Sequence, residues 1–431
     1  MKSIFVGERK LLLYYLIMMV PLVLLTRPEA SYSMVLRIGY FMLLLLPLLQ
    51  NPQFTPFVIL SFYGFSDNAC FCFLPDSYLI RFAAVIGLLL MSAEKIRLEL
   101  KSVRFFLVLY LYALLVSMLY GDTDQLFINT GFWALLLSPF ISNEKDVSRL
   151  ALAFCLMSGA LAISYFMNFD YFAMGYGVGE EFERGGWQNL NVLAACVGCG
   201  LPLSVAFLVG LIEREKSKLF NWLLIANAIV ILLALLSMAS RGGAVAAMGS
   251  SLLIYLFSSR FKTKHKIWAV FGLILFVFIL YRQNYFDILL YRFSDSETTG
   301  NIGSRSDIWD AKINAFFLQD FLSQLIGIGR NNTNNLGVFF STHNDYVTSL
   351  IAFGFIGIVL FMTFLMYPIL AVRKAGKKDL LLLALFVIME CFVVEPFFRG
   401  HFHFWVFYLM LSKMAIINVK EVKNAQKVFS S

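Results

Sequence analysis

The sequence has 431 residues, of which 60% are hydrophobic and only 14% are charged. A soluble chain of this length would need far more charge on its surface, so these proportions exclude an ordinary soluble protein. Apolar runs long enough to cross a bilayer recur along the whole chain. Such runs must be helical, because hydrocarbon offers no partner for backbone N–H and C=O groups. The composition therefore predicts an all-α fold, a polytopic bundle of about twelve to fourteen transmembrane helices.

The formal net charge of +8 comes from short basic clusters that separate the apolar runs. Short loops rich in Lys and Arg stay in the cytoplasm, so we interpret the clusters as topology signals. This placement argues against a nucleic-acid partner. The main clusters are Lys95 to Arg104, Arg214 to Lys218, Arg260 to Lys266, Arg373 to Lys378 and Lys420 to Lys427.

With these clusters inside, the apolar runs predict three regions in chain order and place both termini in the cytoplasm. Residues 1–281 would hold transmembrane helices 1–11, and residues 282–343 a large, partly helical periplasmic loop. Residues 344–431 would hold the last transmembrane helices, 12–14, and a cytoplasmic tail. The weakest predicted span is 54–68, which Pro56, Gly64 and Asp67 interrupt. If it and a neighbour do not cross, the sidedness of later segments is unchanged.

The predicted outer segments are polar and contain candidate binding residues. The first runs from Asp170 to Asn189 and contains Arg184. The second, Arg282 to His343, is the one long polar stretch of the sequence. Within it, Ser306 is expected to cap an amphipathic helix. That helix would place Trp309, Ile313, Phe316 and Phe317 on one face, with Asp307, Asp310 and Lys312 elsewhere.

Arg241 and Arg305 each lie beside Gly or Ser at a predicted helix end. Small neighbours let a ligand approach the backbone, and helix N-termini favour anions. A guanidinium group binds phosphate oxygens in a bidentate manner and stays charged at any working pH. Two such groups at one membrane interface would suit a lipid pyrophosphate. The alternative is that each arginine caps a helix or extends to the lipid headgroups.

His343 directly precedes a predicted helix that contains Gly354 and Gly357. An imidazole with a pKa near ~6.5 can accept a proton from a sugar hydroxyl at neutral pH, which few other side chains can do. Asn344 or Asp345 could fix its tautomer. The alternative is a histidine that only forms a hydrogen bond at the start of a helix.

The remaining candidates favour structural roles. Glu395 and Arg399 have the i, i+4 spacing of a neutralising ion pair. His401 and His403 have no neighbouring Asp, Glu or Cys except Glu395 across a proline, so we predict no metal and only a mild effect of removing either imidazole. The sequence contains no phosphate-binding loop of the nucleotide-hydrolysing type. Cysteines at four positions are expected to be buried as small hydrophobic residues: Cys155, Cys196, Cys199 and Cys391.

At these residues the chain resembles the O-antigen ligase and O-antigen polymerase superfamily of bacterial envelope glycosyltransferases. The similarity covers about residues 180–370, and the order of its pieces is more specific than any one of them. The pieces are Glu183-Arg184-Gly185-Gly186, Ser240-Arg241-Gly242-Gly243 at a helix end, Gly303-Ser304-Arg305-Ser306-Asp307-Ile308-Trp309, Gly327-Ile328-Gly329, and His343-Asn344-Asp345-Tyr346 followed by Gly354 and Gly357.

The resemblance implies a bacterial inner-membrane enzyme with a periplasmic loop that covers its active site. Its donor would be an undecaprenyl pyrophosphate-linked oligosaccharide, used without a metal or other cofactor. Arg241 and Arg305 would hold the pyrophosphate, and His343 would activate the acceptor hydroxyl for displacement with inversion. The remaining substrate contacts would come from Arg184, Asn344, Asp345 and Tyr346.

The choice of acceptor is left open between two activities. A polymerase adds another lipid-linked repeat unit, and a ligase transfers the glycan to the lipid A core. The Asp345-Tyr346 pair and the glycines after Arg241 favour a polymerase, which implies membrane lipids, a chain-length regulator and a flippase as partners.

Two other classes of protein are alternative interpretations of this sequence. A flippase for the same lipid-linked sugar would show two related halves and polar sites near the bilayer midplane. A non-catalytic assembly partner would not need Arg241, Arg305 and His343 to converge.

Overall fold

The computed structural model describes most of the chain as a series of continuous segments, together with a few isolated residues between positions 13 and 23. The described residues are α-helical apart from turns and short 3-10 segments, and no strand occurs among them, which confirms the predicted all-α class. The segments are 34–66, 78–91, 100–121, 126–167, 190–212, 217–238, 240–258, 261–282, 305–330, 332–333, 336, 342–374 and 381–430.

The helices are numbered in chain order. The first eight are α1 (Met34–Gln50), α2 (Thr55–Ser66), α3 (Tyr78–Leu90), α4 (Leu100–Leu119), α5 (Leu126–Leu136), α6 (Glu144–Met167), α7 (Leu190–Gly198) and α8 (Gly200–Leu208). The next eight are α9 (Lys218–Ser237), α10 (Arg241–Phe257), α11 (Thr263–Arg282), α12 (Arg305–Phe317), α13 (Phe321–Ile326), α14 (Asp345–Lys374), α15 (Leu381–Cys391) and α16 (Phe402–Ser430). Short 3-10 helices cover Pro52–Phe54 and Ser138–Phe140.

Several helices have the length and composition of membrane spans. Within the described residues, four segments are long and apolar enough to cross a bilayer: Glu144–Met167, Asn191–Leu208, Lys218–Ser237 and Asp345–Leu370. Shorter apolar helices accompany them, so the chain is a polytopic membrane protein, as predicted. The number of crossings and their sidedness stay predictions, as does the crossing at 54–68, where α2 is buried from Thr55 to Ser61.

The chain divides into two compact units. Unit 1 comprises Met1–Leu98 and Leu137–Gln283, and unit 2 comprises Glu99–Leu136 and Asn284–Ser431. Each unit therefore combines two separate stretches of sequence. The three regions predicted from hydropathy concern membrane topology and stay a prediction.

Unit 1 packs its helices closely through small and uncharged polar residues. Ser158 on α6 donates a hydrogen bond to the Cys196 carbonyl of α7 at 3.0 Å. Asn227 on α9 donates to the Cys155 carbonyl of α6 at 3.1 Å. A Cβ at Gly159 would collide with the Asn227 side chain, so this glycine permits the approach. Small residues at helix interfaces allow this type of packing in membranes. The four cysteines are buried as predicted.

In unit 2, α14 is kinked at Gly354, where φ is +68°. The kink interrupts the helical hydrogen-bond ladder, and the freed carbonyls find other partners. Ile328 N–H donates to the Ile351 carbonyl at 3.2 Å, and Gly329 N–H donates to the Ala352 carbonyl at 3.1 Å. A Cβ at Gly354 would collide with the backbone after α13, so two of the glycine pieces noted in the sequence meet here.

The amphipathic helix predicted in the large loop is α12, and three details differ from the prediction. Its apolar face packs against Val347 and Ile351 of α14, but Phe317 is 50% exposed. Ser306 is the second residue of the helix as described, so it does not cap it. Lys312, assigned to the polar side by residue type, is only 1% exposed, and its ammonium group donates to the Thr333 carbonyl at 3.3 Å.

Candidate active site

Charged and hydroxyl side chains from four places in unit 2 come together. We call them the polar cluster. Their proximity is shown by hydrogen bonds and by mutual electrostatic effects: His343 is influenced by Arg399 and Arg305, and His401 by Arg399, Arg330 and His343. The members are Arg305 and Lys312 of α12, Arg330 after α13, Thr342, His343 and Thr348 around the start of α14, and Glu395, Arg399 and His401 between α15 and α16.

His343 lies just before α14 and is half-buried. Its φ of +48° is rare for a residue with a side chain and costs on the order of 1–3 kcal/mol, which only a well-determined environment sustains. Part of that environment is the carbonyl of Thr342, which accepts the Trp309 indole N–H at 2.7 Å and ties this loop to α12. Burial, then the charges of Arg399 and Arg305, lower the pKa of His343 to about 4. The imidazole is therefore neutral at physiological pH.

Arg305 is the first described residue of α12, as the sequence predicted for a helix end. Its guanidinium donates to the Val393 carbonyl at 2.7 Å, which connects the helix to the turn after α15. The field of Arg305 also reaches Glu390, whose fully buried carboxylate has no hydrogen-bond partner among the described residues. A buried carboxyl group without a hydrogen bond is costly, and the guanidinium of Arg305 is the positive charge that acts on it.

The three residues after His343 hold the loop itself. Asn344 caps α14, because its side-chain oxygen accepts the N–H groups of Tyr346 at 2.9 Å and Val347 at 3.2 Å. Asp345 is buried, and its carboxylate accepts two backbone N–H groups at 3.1 Å, those of Phe397 and Phe398. These contacts give the side-chain oxygens of Asn344 and Asp345 backbone partners in α14 and in the turn after α15.

Tyr346 was predicted to contact substrate, and its side chain contacts other residues of unit 2. Its hydroxyl donates to the Ile388 carbonyl at 3.1 Å, and its ring lies 4.3 Å from that of Phe392. Asn344, Asp345 and Tyr346 thus all have internal partners that fix the loop around His343. Substrate contacts by these three residues stay a prediction.

The predicted ion pair between Glu395 and Arg399 is present, with 3.3 Å between Oε2 and Nε. Glu395 has more partners than the spacing indicated. Its Oε1 accepts the Thr348 hydroxyl at 2.6 Å, and its Oε2 also accepts the Thr342 hydroxyl at 3.4 Å. The φ of Glu395 is +59°, and with His343 it forms the pair of non-glycine residues with positive φ in the described part of the chain.

His401 lies close to basic groups of the polar cluster, a setting that the sequence did not indicate. The charges of Arg399 and Arg330 act on it after burial, the largest cause, and its pKa falls to about 3. Its Nε2 is buried with no hydrogen-bond partner in the described residues. His403 is fully buried, with its ring 4.6 Å from that of Phe404. No described group of three or more His, Cys, Asp or Glu residues has the geometry of a metal site.

Two of the predicted site residues are not brought to the polar cluster by the described contacts. Arg241 begins α10 in unit 1, after the end of α9 rather than within it, and its side chain lies outside the described part of the structure. Ser240 donates to the Asn191 side chain at 2.9 Å, and a Cβ at Gly243 would press on Ala194, so this motif joins α10 to α7. Arg184 lies outside the described residues.

Residues 226–362 match the family model described as O-Antigen ligase, a segment that includes Arg241, Arg305 and His343. This match confirms the predicted superfamily of O-antigen ligases and polymerases. It supports a membrane glycosyltransferase of this type, with lipid-linked glycans as substrates. No curated protein matches the chain. The turn that contains Glu395 and Arg399 lies beyond the matched segment.

From the sequence, Arg399 was interpreted only as the ion-pair partner of Glu395, and Lys312 only as part of a polar helix face. A signal for Arg399 was available, because an arginine beside glycine between two apolar helices is the pattern that singled out Arg241. Lys312 gave no such signal, since its ammonium group meets a carbonyl distant in sequence.

Proposed function

We propose that this protein polymerises undecaprenyl pyrophosphate-linked oligosaccharide repeat units at the periplasmic face of the bacterial inner membrane. The observation that supports the proposal is the convergence of His343 with Arg305 and Arg399 in unit 2. Guanidinium groups suit a pyrophosphate, and a neutral imidazole suits a sugar hydroxyl. Long basic side chains and a base are the groups that glycosyl transfer from a lipid pyrophosphate requires.

In the proposed reaction, an acceptor hydroxyl oxygen attacks the anomeric carbon of the donor sugar. The bond from that carbon to the pyrophosphate oxygen breaks, and the lipid pyrophosphate leaves with the electron pair. His343 takes the hydroxyl proton. Arg305 and Arg399 stabilise the negative charge that develops on the leaving group, which is where preorganised charge lowers a barrier most. Attack from the face opposite the leaving group inverts the anomeric configuration.

The same geometry couples donor binding to the strength of the base. Without donor, burial and the charges of Arg399 and Arg305 hold the pKa of His343 at about 4, so the imidazole is a weak base. A bound pyrophosphate offsets both positive charges. The pKa of His343 then rises toward its unperturbed value of 6.5, and the base strengthens when the donor is in place.

The deciding experiment is His343→Ala in the purified full-length protein, with His265→Ala as the control. His265 is an exposed histidine of α11 in unit 1. Removal of a general base costs about 10²–10⁴ in rate, so His343→Ala should bind the lipid-linked donor yet form almost no product. His265→Ala should behave as wild type. Full turnover by His343→Ala would exclude the proposed base.

Transfer to the lipid A core is the second candidate, because the matched family model carries the description O-Antigen ligase. Wild-type protein is supplied with donor and either a second lipid-linked repeat unit or lipid A core. Product with the first acceptor identifies a polymerase, and product with the second a ligase. A chain-length regulator and a flippase belong to the proposal as partners of the polymerase.

Arg241 belongs to the proposal through the family resemblance, as a second holder of the pyrophosphate, and Arg184 as a further substrate contact. Arg241→Ala should raise the donor KM and lower turnover while the protein still inserts normally, because a bidentate phosphate contact would be lost. Reporter fusions after Asp295 and Asn332 should be external, and fusions after Lys264 and Lys377 cytoplasmic. A cytoplasmic report from Asn332 would contradict the periplasmic site.

A further inference from the structure

We propose that Glu395 is a positioning residue for this reaction, whose buried carboxylate holds the His343 loop and the Arg399 guanidinium in one arrangement. The inference rests on the proposed function, since it assigns Glu395 to the groups that serve the transfer step. Glu395 itself does not contact the reacting atoms in this role.

The first argument is the set of partners of the carboxylate. Glu395 is 4% exposed, and one oxygen accepts the Thr348 hydroxyl at 2.6 Å. The other oxygen accepts from Arg399 Nε at 3.3 Å and from the Thr342 hydroxyl at 3.4 Å. One carboxylate thus joins the first turn of α14, the residue before the candidate base and a candidate phosphate ligand.

The second argument is that the same network reaches α12. The Thr342 and Thr348 hydroxyls lie 2.5 Å apart and share a hydrogen bond, so Thr342 is also linked to the Glu395 carboxylate through Thr348. The Thr342 carbonyl accepts the Trp309 indole N–H, one helical turn beyond Arg305. A shift of Thr342 would therefore move His343 relative to Arg305, and misplacement by about 1 Å can cost about 10²-fold in rate.

The third argument concerns the backbone. His343 and Glu395 both have positive φ, and conformations of this kind persist in non-glycine residues only where the surroundings determine them strongly. The charged groups that face Glu395 are Lys312 from α12, Asp345 from α14 and Arg399 from its own turn. Removal of the negative charge would leave the positive charge of Arg399 without its nearest counter-charge.

The test is Glu395→Gln in the purified full-length protein, assayed with the lipid-linked donor and the acceptor that wild type uses. The amide oxygen can still accept from Thr348, so the protein should insert at normal levels. Turnover should fall about 10²-fold, since Arg399 and the His343 loop lose their common anchor. The acid limb of kcat/KM should also move to lower pH, because an uncompensated Arg399 lowers the pKa of His343 further. A purely structural role would leave that limb where it is.

A smaller change gives an independent reading. Thr348→Val removes one hydroxyl at the carboxylate, and Thr363→Val on the same helix is the matched control, since among the described residues its hydroxyl bonds to the Val359 carbonyl of its own helix. Thr348→Val should lower turnover about tenfold relative to Thr363→Val. Equal turnover of these two variants would overturn the inference even if Glu395→Gln failed to accumulate.

The outcomes separate this inference from the proposed function. An active wild type with unchanged turnover and an unchanged acid limb in Glu395→Gln overturns the positioning role alone. A wild type that transfers sugar to neither acceptor overturns the proposed function and the positioning role with it.

Discussion

Unit 1 and unit 2 both bury polar side chains between apolar helices, and they use different chemistry. In unit 1 the described buried groups are mainly hydroxyl, thiol and amide groups that bond to backbone carbonyls. Some of these carbonyls belong to a neighbouring helix, as for Ser158 and Asn227, and others to the same helix, as for Ser250. Its buried ion pair, Arg149 with Asp146 at 2.8 Å, closes within a single turn of α6. In unit 2 the polar cluster joins charges from four places in the chain.

The backbone differs in the same direction. The described residues of unit 1 include one with positive φ, Gly210, whereas unit 2 has glycines in this conformation beside the two non-glycine residues His343 and Glu395. Burying several charges next to residues with positive φ costs free energy, and unit 1 packs its helices without this arrangement. Helix packing alone therefore does not explain the polar cluster. The comparison therefore directs the search for function to unit 2.

The contrast between the units is tested most strongly by replacing an arginine with lysine in each of them. Arg305→Lys in unit 2 should lose at least about 10²-fold in turnover, because an ammonium group cannot replace the bidentate guanidinium at a developing phosphate charge. Arg149→Lys in unit 1 should instead lower the free energy of unfolding by about 1–3 kcal/mol, since a buried partner of Asp146 is weakened. Its turnover per folded molecule should stay at the wild-type value.

These two variants are compared by donor-turnover assay and by thermal unfolding in detergent. Wild-type turnover in Arg305→Lys would show that this arginine only anchors α12 to the Val393 carbonyl. A large loss of turnover in Arg149→Lys at normal stability would place catalytic importance in unit 1 and end the contrast.

A second prediction sharpens the electrostatic part of the contrast. The pH dependence of kcat/KM reports the free enzyme, and that of kcat reports the donor complex. Since the pKa of His343 is about 4 without donor, kcat/KM should hold as the pH falls below 6.5 and decline only near about 4. The acid limb of kcat should lie at higher pH, because bound pyrophosphate offsets Arg399 and Arg305.

Arg399→Gln provides the control for the sign of this effect. With one positive charge removed, the pKa of His343 rises, and the acid limb of kcat/KM should move upward. Coincident limbs in the wild type, or an Arg399→Gln limb at lower pH, would contradict the assignment of these arginines as the cause.

The helical class and the membrane setting could be predicted from the sequence, because apolar runs recur along the chain. The superfamily could be predicted from the order of its short motifs. His343 and Arg305 could be proposed as site residues from the sequence, since charged groups at the ends of apolar helices are conspicuous. The position of Lys312 in the cluster could not be predicted from the sequence. Its ammonium group meets a carbonyl 21 residues away, and Glu395 adopts a left-handed conformation that no residue type signals.

The interpretation of Asn344 and Asp345 shows the opposite difficulty. Their residue types fit substrate contacts equally well as loop contacts, and spacing alone cannot decide between the two. The structure gives Asn344 the cap of α14 and gives Asp345 the backbone of the turn after α15. Polar residues next to a candidate base often serve to hold it, and only their partners reveal this.

The smallest expected effect tests unit 1 from the inside. Ser158→Ala removes the hydroxyl that donates to the Cys196 carbonyl at 3.0 Å, and side-chain hydrogen bonds between membrane helices average about 0.6 kcal/mol. Alanine keeps the Cβ atom of residue 158 that lies next to Gly200, so the packing there should tolerate the change. Unfolding measurements should thus show a small loss of stability, and donor turnover should equal that of wild type. A clear fall in turnover without loss of stability would mean that unit 1 also contributes to the transfer step. The uncharged polar contacts of α6 would then serve more than helix packing.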